Sequence, residues 1–149
     1  MTQPLSLAAR PIHLGLGATA VPQPAFGGGM DWYNAYEARN AGDGAEGRLV
    51  SQHTFGKDWD MWEMHPHGDE VVICTLGRMV LHQEQADGVV ETVTLEAGEY
   101  AINGPGVWHT AEVSGEATAI FVTAGKDTRH RPHEVLSDKT TLIRHQMKL

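Results

Sequence analysis

Two stretches of this chain carry side chains that could hold a metal ion. The first covers residues 59–77 and places five donor side chains within eight positions: Glu63, His65, His67, Asp69 and Glu70. The second, residues 103–110, reads Asn-Gly-Pro-Gly-Val-Trp-His-Thr and contains His109. Imidazole nitrogens and carboxylate oxygens are common ligands of divalent transition metals. The sequence therefore predicts that the two stretches meet around a divalent metal.

Strand geometry predicts how these donors converge. Alternate side chains of a β-strand lie on the same face, so a strand over residues 59–65 places Glu63 beside His65. The Pro-His-Gly-Asp turn that follows reverses the chain. Glu70, at the start of the next strand, then faces back toward them. His109 comes about forty residues later, a separation that suits a ligand from the opposite sheet of the same barrel.

The alternative is that these side chains form a solvated polar rim ahead of a turn. Three acidic residues and two histidines crowd this one turn, and burying them without compensation would be costly. A metal reconciles that density of polar groups with the apolar run that follows. We therefore favour the metal over the polar rim.

Length and composition restrict the class of protein. A chain of 149 residues predicts one domain. The formal charge of -8 argues against nucleic acid or an anionic membrane surface as a partner. No stretch approaches the ~18 apolar residues that a membrane span needs. Cys74, the single cysteine, is expected to pack in the core, and a chain without an internal disulfide favours a reducing, cytoplasmic compartment.

The middle of the chain reads as consecutive short strands separated by turns rich in Gly, Asp and Pro. The predicted strands cover residues 48–55, 59–65, 70–76, 78–85, 89–95, 100–102, 110–113 and 117–123. No long helix interrupts them. Short strands at this spacing are typical of an all-β sandwich or closed barrel.

The flanking segments are less regular. Residues 1–30 are rich in Pro, Gly and Ala and predict an extended arm, which either pairs as an edge strand or crosses to a partner subunit. Residues 31–39 form either a short helix capped by Asp31 or an aromatic cover for one end of the barrel. The polar residues from Gly125 onward are expected to end the barrel. Residues 135–149 form an edge strand or a helix.

The first stretch is similar to the first sequence motif of the cupin superfamily: Gly, five residues, His-x-His, three or four residues, Glu, six residues, Gly. Glu70 and Gly77 keep the spacing of the last two positions, and His65 stands at the second His. Glu63 occupies the first His position, and the leading glycine is displaced by one, at Gly56.

The second stretch is similar to the second cupin motif: Gly, five residues, Pro-x-Gly, two residues, His, three residues, Asn. Gly98, Gly106 and His109 fit, whereas the proline is shifted to Pro105 and Val113 stands at the final Asn. The resemblance covers about residues 48–124. It implies one cupin-like domain over residues 1–149, an all-β double-stranded β-helix (jelly-roll) barrel with an extended N-terminal arm and a short C-terminal tail.

Carried over onto this chain, the resemblance implies His65, Glu70 and His109 as metal ligands. We favour Glu63 as the fourth ligand, because a carboxylate oxygen can replace an imidazole nitrogen. The alternative replaces Glu63 by His67, which strand parity also allows but which lies beyond a proline, where the register is lost. A mixed histidine and carboxylate site suits Fe(II), Mn(II), Ni(II) or Zn(II).

The resemblance implies a metal-dependent enzyme acting on a small organic molecule, of dioxygenase, isomerase or lyase type. The alternative is a non-enzymatic barrel that binds or senses a small ligand, with a degenerate metal site. In the enzyme, Glu63 is either a ligand or the general base. The aromatic and apolar residues near the ligands either fill the barrel or line a substrate pocket, for which the candidates are Trp59, Met61, Tyr100 and Trp108.

Three further expectations concern Asp69, the oligomeric state and the remaining histidines. Asp69 either orients a ligand histidine through a hydrogen bond or caps the turn. A homodimer is expected, because exposed sheet edges need covering and the N-terminal arm could reach a partner. The histidines outside the two stretches are expected at the surface or in hydrogen bonds: His13, His53, His82, His130, His133 and His145.

Overall fold

The computed structural model describes residues 3–133, which form two antiparallel sheets, one helix and a short 3-10 segment. The predicted edge strand or helix over residues 135–149 lies outside this described part. The elements in chain order are β1 (Ile12–Gly15), β2 (Thr19–Pro22), α1 (Gly29–Arg39), the 3-10 segment (Ala41–Glu46), β3 (Arg48–Phe55), β4 (Met61–Met64), β5 (Glu70–Leu76), β6 (Arg78–Glu84), β7 (Val90–Glu96), β8 (Tyr100–Asn103), β9 (Trp108–Val113), β10 (Ala117–Thr123) and β11 (Arg129–Pro132).

The two sheets are built from strands that are distant in sequence. The six-stranded sheet has the order β2-β1-β3-β10-β5-β8, and the five-stranded sheet has the order β11-β4-β9-β6-β7. Non-consecutive neighbours in two facing antiparallel sheets are typical of a jelly roll. The prediction of an all-β jelly-roll domain is confirmed. Neither helical segment in the described residues is long and apolar enough to cross a membrane.

The alternation of side chains located most strands correctly. β3, β5 and β10 have the predicted bounds, and β4, β6, β7, β8 and β9 agree within two residues at each end. In β5, Glu70, Val72 and Cys74 are buried while the residues between them are more exposed. This period of two is the pattern that a strand with one covered face requires.

An apolar core fills the space between the sheets. Cys74 is fully buried within it, as expected. Burying one large aliphatic side chain contributes roughly 1.5–3 kcal/mol, so this layer is the main source of stability. The buried members of the core are Val72, Cys74, Met79, Leu81, Leu95, Ala111, Val113, Ala117, Ala119 and Phe121.

The N-terminal segment packs on its own chain as a hairpin. β1 and β2 pair with each other, and β1 pairs with β3 at the edge of the six-stranded sheet. This agrees with the edge-strand form of the predicted arm. The short helix over residues 31–39 is also present, as α1, but its N-cap is Gly28, and Asp31 lies in the first turn. Asp31 is therefore not the cap, although a carboxylate there still favours the helix dipole.

The polar stretch after Gly125 continues the five-stranded sheet instead of ending it. β11 pairs antiparallel with β4, with Arg129 opposite Met64 and Pro132 opposite Met61. Because β11 is an edge strand, the missing N–H of its proline leaves no ladder bond broken. Sequence alternation gave no sign of this strand, since every residue of β11 is polar or proline.

The outer faces of the two sheets differ in character. On the five-stranded sheet, outward residues form polar pairs such as Arg78 with Glu96 and His82 with Thr92. On the outer face of the six-stranded sheet, the strand register aligns two rows of uncharged side chains. The first is Ile102, Val71, Val122, Val50 and Ile12, and the second is Tyr100, Ile73, Ile120 and Gln52.

A close backbone approach explains the glycine that follows β5. Gly77 has φ 73°, and a Cβ added there would lie 2.0 Å from the carbonyl oxygen of Glu116. Backbone atoms cannot yield as a flexible side chain can. Only glycine therefore fits between β5 and the start of β10.

We expect Gly77→Ala to lower the free energy of unfolding by more than about 2 kcal/mol, because steric overlap adds to left-handed backbone strain. Gly88→Ala is the matched control: its φ is 83°, but nothing lies within 4 Å of the added Cβ. That variant should lose only about 1 kcal/mol from strain. Equal losses in urea unfolding would contradict the close approach at Gly77.

Candidate metal centre

Strand pairing brings two polar rows together at one end of the sandwich. In the five-stranded sheet, β4 pairs with β9 so that Glu63 lies opposite His109. In the six-stranded sheet, Glu70 lies between Asn103 on β8 and Thr123 on β10. The rows meet across the interior, where Nε2 of His109 is 3.2 Å from Oε1 of Glu70.

Three side chains form a cluster that could hold a metal ion, because one ligand atom from each of Glu63, His65 and His109 lies within 4.8 Å of the others. Glu70 adjoins this cluster, with Oε2 3.1 Å from Nε2 of His65. Oε1 of Glu63 is 3.8 Å from the same nitrogen. Ligands held about 2.1 Å from one metal ion are about 3.0–3.4 Å apart. The contacts of Glu70 fall in that range, and Glu63 lies slightly outside it.

Hydrogen bonds on the far side of each imidazole fix which nitrogen faces the cluster. Nδ1 of His65 is 2.8 Å from the hydroxyl of Thr128, which itself donates to the carbonyl oxygen of Gly125. The hydroxyl therefore accepts the Nδ1–H of His65. His109 donates its Nδ1–H to the carbonyl oxygen of Val107 at 3.2 Å. In the neutral rings, both Nε2 atoms then carry the lone pair that a metal needs.

Glu70 is 3% exposed, and each of its carboxylate oxygens accepts one hydrogen bond. Oε1 accepts a hydrogen bond from the amide of Asn103 at 3.1 Å, and Oε2 accepts one from the hydroxyl of Thr123 at 2.6 Å. Burial acts to raise the pKa of Glu70, but contact with the His109 and His65 rings outweighs it and holds the pKa well below its ordinary value. Glu70 is therefore ionised when a proton or a metal ion lies between its carboxylate and the two Nε2 atoms.

An ionised carboxylate facing two imidazole lone pairs is satisfied only by a cation. Both Nε2 atoms are buried and have no hydrogen-bond partner within the described residues, because the contacts to Glu70 lack hydrogen-bond geometry. Burial lowers the pKa of His109, but the neighbouring Glu70 and Glu63 carboxylates raise it overall. A proton can thus supply the charge in part, and a divalent metal ion would satisfy both nitrogens and the carboxylate together.

Tyr33 of helix α1 lies near the cluster. Burial, followed by the charges of Glu63 and Glu70, raises the pKa of Tyr33 to about 12. The Tyr33 hydroxyl lies 3.5 Å from Nε2 of His53. Burial also lowers the pKa of His53, so this ring is neutral. A neutral phenol therefore stands near the two carboxylates.

Two other predicted polar residues lie away from the cluster. His67, the alternative to Glu63, is an exposed side chain whose Nε2 contacts Oδ2 of Asp127 at 2.8 Å. Asp69 is also exposed. The hydrogen bonds that orient the two cluster histidines come from Thr128 and a backbone carbonyl, not from Asp69.

Comparison with known proteins bears on the fold. No family model and no curated protein matches the sequence. Oxalate oxidase matches over 68% of this chain and 57% of its own, with a TM-score of 0.50 and 12% identity. A cupin-2 domain protein from Shewanella frigidimarina matches over 51% of this chain and 69% of its own, with a TM-score of 0.42 and 24% identity.

The fold is that of a cupin. Hydroquinone 1,2-dioxygenase from Sphingomonas sp. TTNP3 also matches, with a TM-score of 0.44 and 12% identity over 50% of this chain and 57% of its own. This chain therefore spans little more than half of the two enzyme chains. At such identities the likeness concerns the cupin fold alone.

Two of the four residues expected to line a pocket lie on outer faces of the cupin sheets. Trp108 precedes the inward-facing His109 in β9, so strand parity turns it outward. Tyr100 is 64% exposed, and Asn103, at the opposite parity in β8, is the buried residue of that strand. Both aromatic rings therefore lie outside the interior of the sandwich.

The other two lie closer to the cluster. The Trp59 ring is 6.5 Å from His109 and 6.0 Å from Phe121, and its Nε1 is buried without a hydrogen-bond partner in the described part of the chain. Trp59 therefore belongs to the interior wall next to the ligand candidates. Met61 is 36% exposed at the start of β4.

Several residues around the cluster were not singled out from the sequence as part of the site. None has a distinctive spacing from the metal motifs, because each reaches the cluster through strand pairing or helix packing. They are Tyr33, Asn103, Thr123, Thr128 and His130.

A cavity of about 450 Å³ lies elsewhere, between α1, the 3-10 segment and the loop before β11. The ligand candidates do not line it. His13 lies at its wall, with Nδ1 2.6 Å from the Tyr36 hydroxyl and Nε2 2.6 Å from Oδ2 of Asp43. Both ring nitrogens therefore have partners. Through these two contacts, His13 connects the N-terminal hairpin to α1 and to the 3-10 segment.

Asn103→Asp tests the electrostatics of the cluster. It places a second buried carboxyl beside Oε1 of Glu70, so we expect metal-free protein to lose about 2 kcal/mol or more of unfolding free energy. Asn34→Asp is the matched control, because Asn34 is exposed on α1, and it should change stability by less than about 0.5 kcal/mol. Urea unfolding with chelator present measures both. A loss no larger in Asn103→Asp than in the control would contradict the buried Glu70 charge.

Proposed function

We propose that this cupin is a metal-dependent enzyme acting on a small organic molecule. The observation that carries the proposal is the pair of buried Nε2 atoms that face the Glu70 carboxylate and have no hydrogen-bond partner within residues 3–133. Glu63, His65, Glu70 and His109 would hold the ion. Two imidazoles and two carboxylates suit Fe(II), Mn(II), Ni(II) or Zn(II).

A bound metal of this kind would supply Lewis-acid chemistry at a substrate oxygen or, with iron, oxygen chemistry. The protein groups have separate tasks. Tyr33 is a neutral phenol near the cluster, and the Trp59 ring, whose N–H has no partner in the described part of the chain, belongs to the interior wall. Glu63 is partly exposed, so it is the carboxylate best placed to exchange protons with a substrate if the metal does not hold it.

Elemental analysis of protein purified without added metal tests the proposal. We expect about one equivalent of a transition metal in the wild type and its loss in His109→Ala, because removing one buried ligand typically abolishes binding at such a site. His67→Ala is the matched control, since that imidazole contacts Asp127 outside the cluster, and it should keep the metal. Metal-free wild type, or loss in His67→Ala only, would contradict the assignment.

Glu63→Ala in the same panel separates the two roles of this carboxylate. Loss of metal identifies Glu63 as a ligand. Retained metal with lost turnover on a substrate found by screening identifies it as the base. Retained metal and no turnover in the wild type across oxidase, isomerase and lyase substrates favours a binding or sensing barrel.

We also propose that the chain forms a homodimer through the outer face of the six-stranded sheet. The two rows that cross this face carry no charged side chain, and Tyr100 and Ile102 are more than half exposed. A symmetric dimer places the same patch of both chains in contact, so an uncharged patch lets a chain of net charge -8 self-associate without bringing like charges together. The polar outer face of the other sheet does not meet this condition.

Light scattering tests the dimer. The wild type should have twice the chain mass, and Ile73→Asp should be monomeric because it buries a charge in the centre of the second row. Thr94→Asp, exposed on the outer face of the five-stranded sheet, is the control and should stay dimeric. A monomeric wild type, or an unchanged Ile73→Asp dimer, would refute this interface.

A further inference from the structure

Strand β11 extends the polar row of the five-stranded sheet by one residue. Its register places His130 opposite Glu63, which in turn lies opposite His109. Nε2 of His130 is 3.6 Å from Oε1 of Glu63. The row therefore reads His130, Glu63, His109 across three adjacent strands, with the carboxylate between two imidazoles.

Glu63 has less support than the other carboxylate of the cluster. Glu70 is held by two hydrogen bonds from neutral side chains and is 3% exposed. For Glu63, the basic side chains at ion-pair distance within residues 3–133 are the imidazoles of His65 and His130. His65 is itself a ligand candidate, and only His130 approaches Glu63 from outside the cluster.

Contacts on the outer face keep β11, and hence His130, against β4. The guanidinium of Arg131 lies 5.0 Å from the Trp62 ring centre and 4.7 Å from that of Trp108. It also pairs with Glu84 on β6. Cation–π contacts of this kind contribute about 0.5–1 kcal/mol each when exposed. The backbone N–H of His133 donates to the carbonyl oxygen of residue 60 at 2.9 Å, which closes the end of the strand.

We propose that His130 is a positioning residue that holds the Glu63 carboxylate toward the metal. This inference rests on the metal centre proposed above. A basic ring nitrogen at ion-pair distance from a ligand carboxylate favours, by electrostatic attraction, the carboxylate orientation that binding needs, as outer partners of metal ligands do. The post-barrel strand is thus part of the site, although it lies outside both cupin-like motifs.

The test measures Co(II) affinity of chelator-stripped protein by competition with a chromophoric chelator. We expect His130→Ala to weaken binding about 10- to 100-fold, the usual effect of removing an outer partner of a ligand. His130→Gln keeps an N–H donor and should recover most of the affinity. His82→Ala is the control, because this imidazole contacts Thr92 and Glu112 on the outer face.

A double-variant comparison separates positioning from a general structural effect. If His130 acts through Glu63, His130→Ala should weaken Co(II) binding no further in a Glu63→Ala background, and it should change the visible Co(II) spectrum of the otherwise wild-type protein. Unchanged affinity in His130→Ala, or an equal loss in both backgrounds, overturns the inference. A wild type that binds no Co(II) overturns the metal centre itself, which is a different result.

Discussion

The arrangement of side chains at this end of the molecule depends on the Glu70 carboxylate. It is buried between two imidazoles that turn their lone pairs toward it. An ionised carboxylate removed from water costs several kcal/mol unless charge and hydrogen bonds compensate it. Asn103 and Thr123, on the neighbouring strands, each donate one hydrogen bond to this carboxylate. A cation must compensate its remaining negative charge. The two sheets come together where that cation would sit, since Glu70 belongs to one sheet and His109 to the other.

Apolar packing beneath this layer makes the electrostatics possible. Val72 and Leu81 are fully buried just inside the polar rows, so water has no route to the carboxylate from the core side. Register then fixes which side chains meet, because a slip by one residue would turn every ligand outward. The close approach at Gly77 and the pairing of β4 with both β9 and β11 hold that register. The chemistry of the site therefore depends on the packing of the sandwich as a whole.

Much of the fold could be predicted from the sequence, but less of the candidate site. Alternation located the barrel strands because one face of each is buried, and residue spacing singled out the residues of the cluster. Parity alone would have excluded Trp108, which adjoins an inward histidine, and Tyr100, which is three residues from the buried Asn103. His130 could not be predicted in this way. Its strand has no apolar alternation, and its register against Glu63 is set by a pairing more than sixty residues away.

We infer that one metal ion joins the two sheets at this cluster. Anomalous diffraction from crystals grown without chelator, recorded on both sides of the absorption edge of the metal found in the protein, tests it most directly. The prediction is one anomalous peak about 2.0–2.3 Å from Nε2 of His65 and of His109, with a carboxylate oxygen of Glu70 or Glu63 at a similar distance. A peak at the exposed pair His67 and Asp127, or none inside the sandwich, would contradict it.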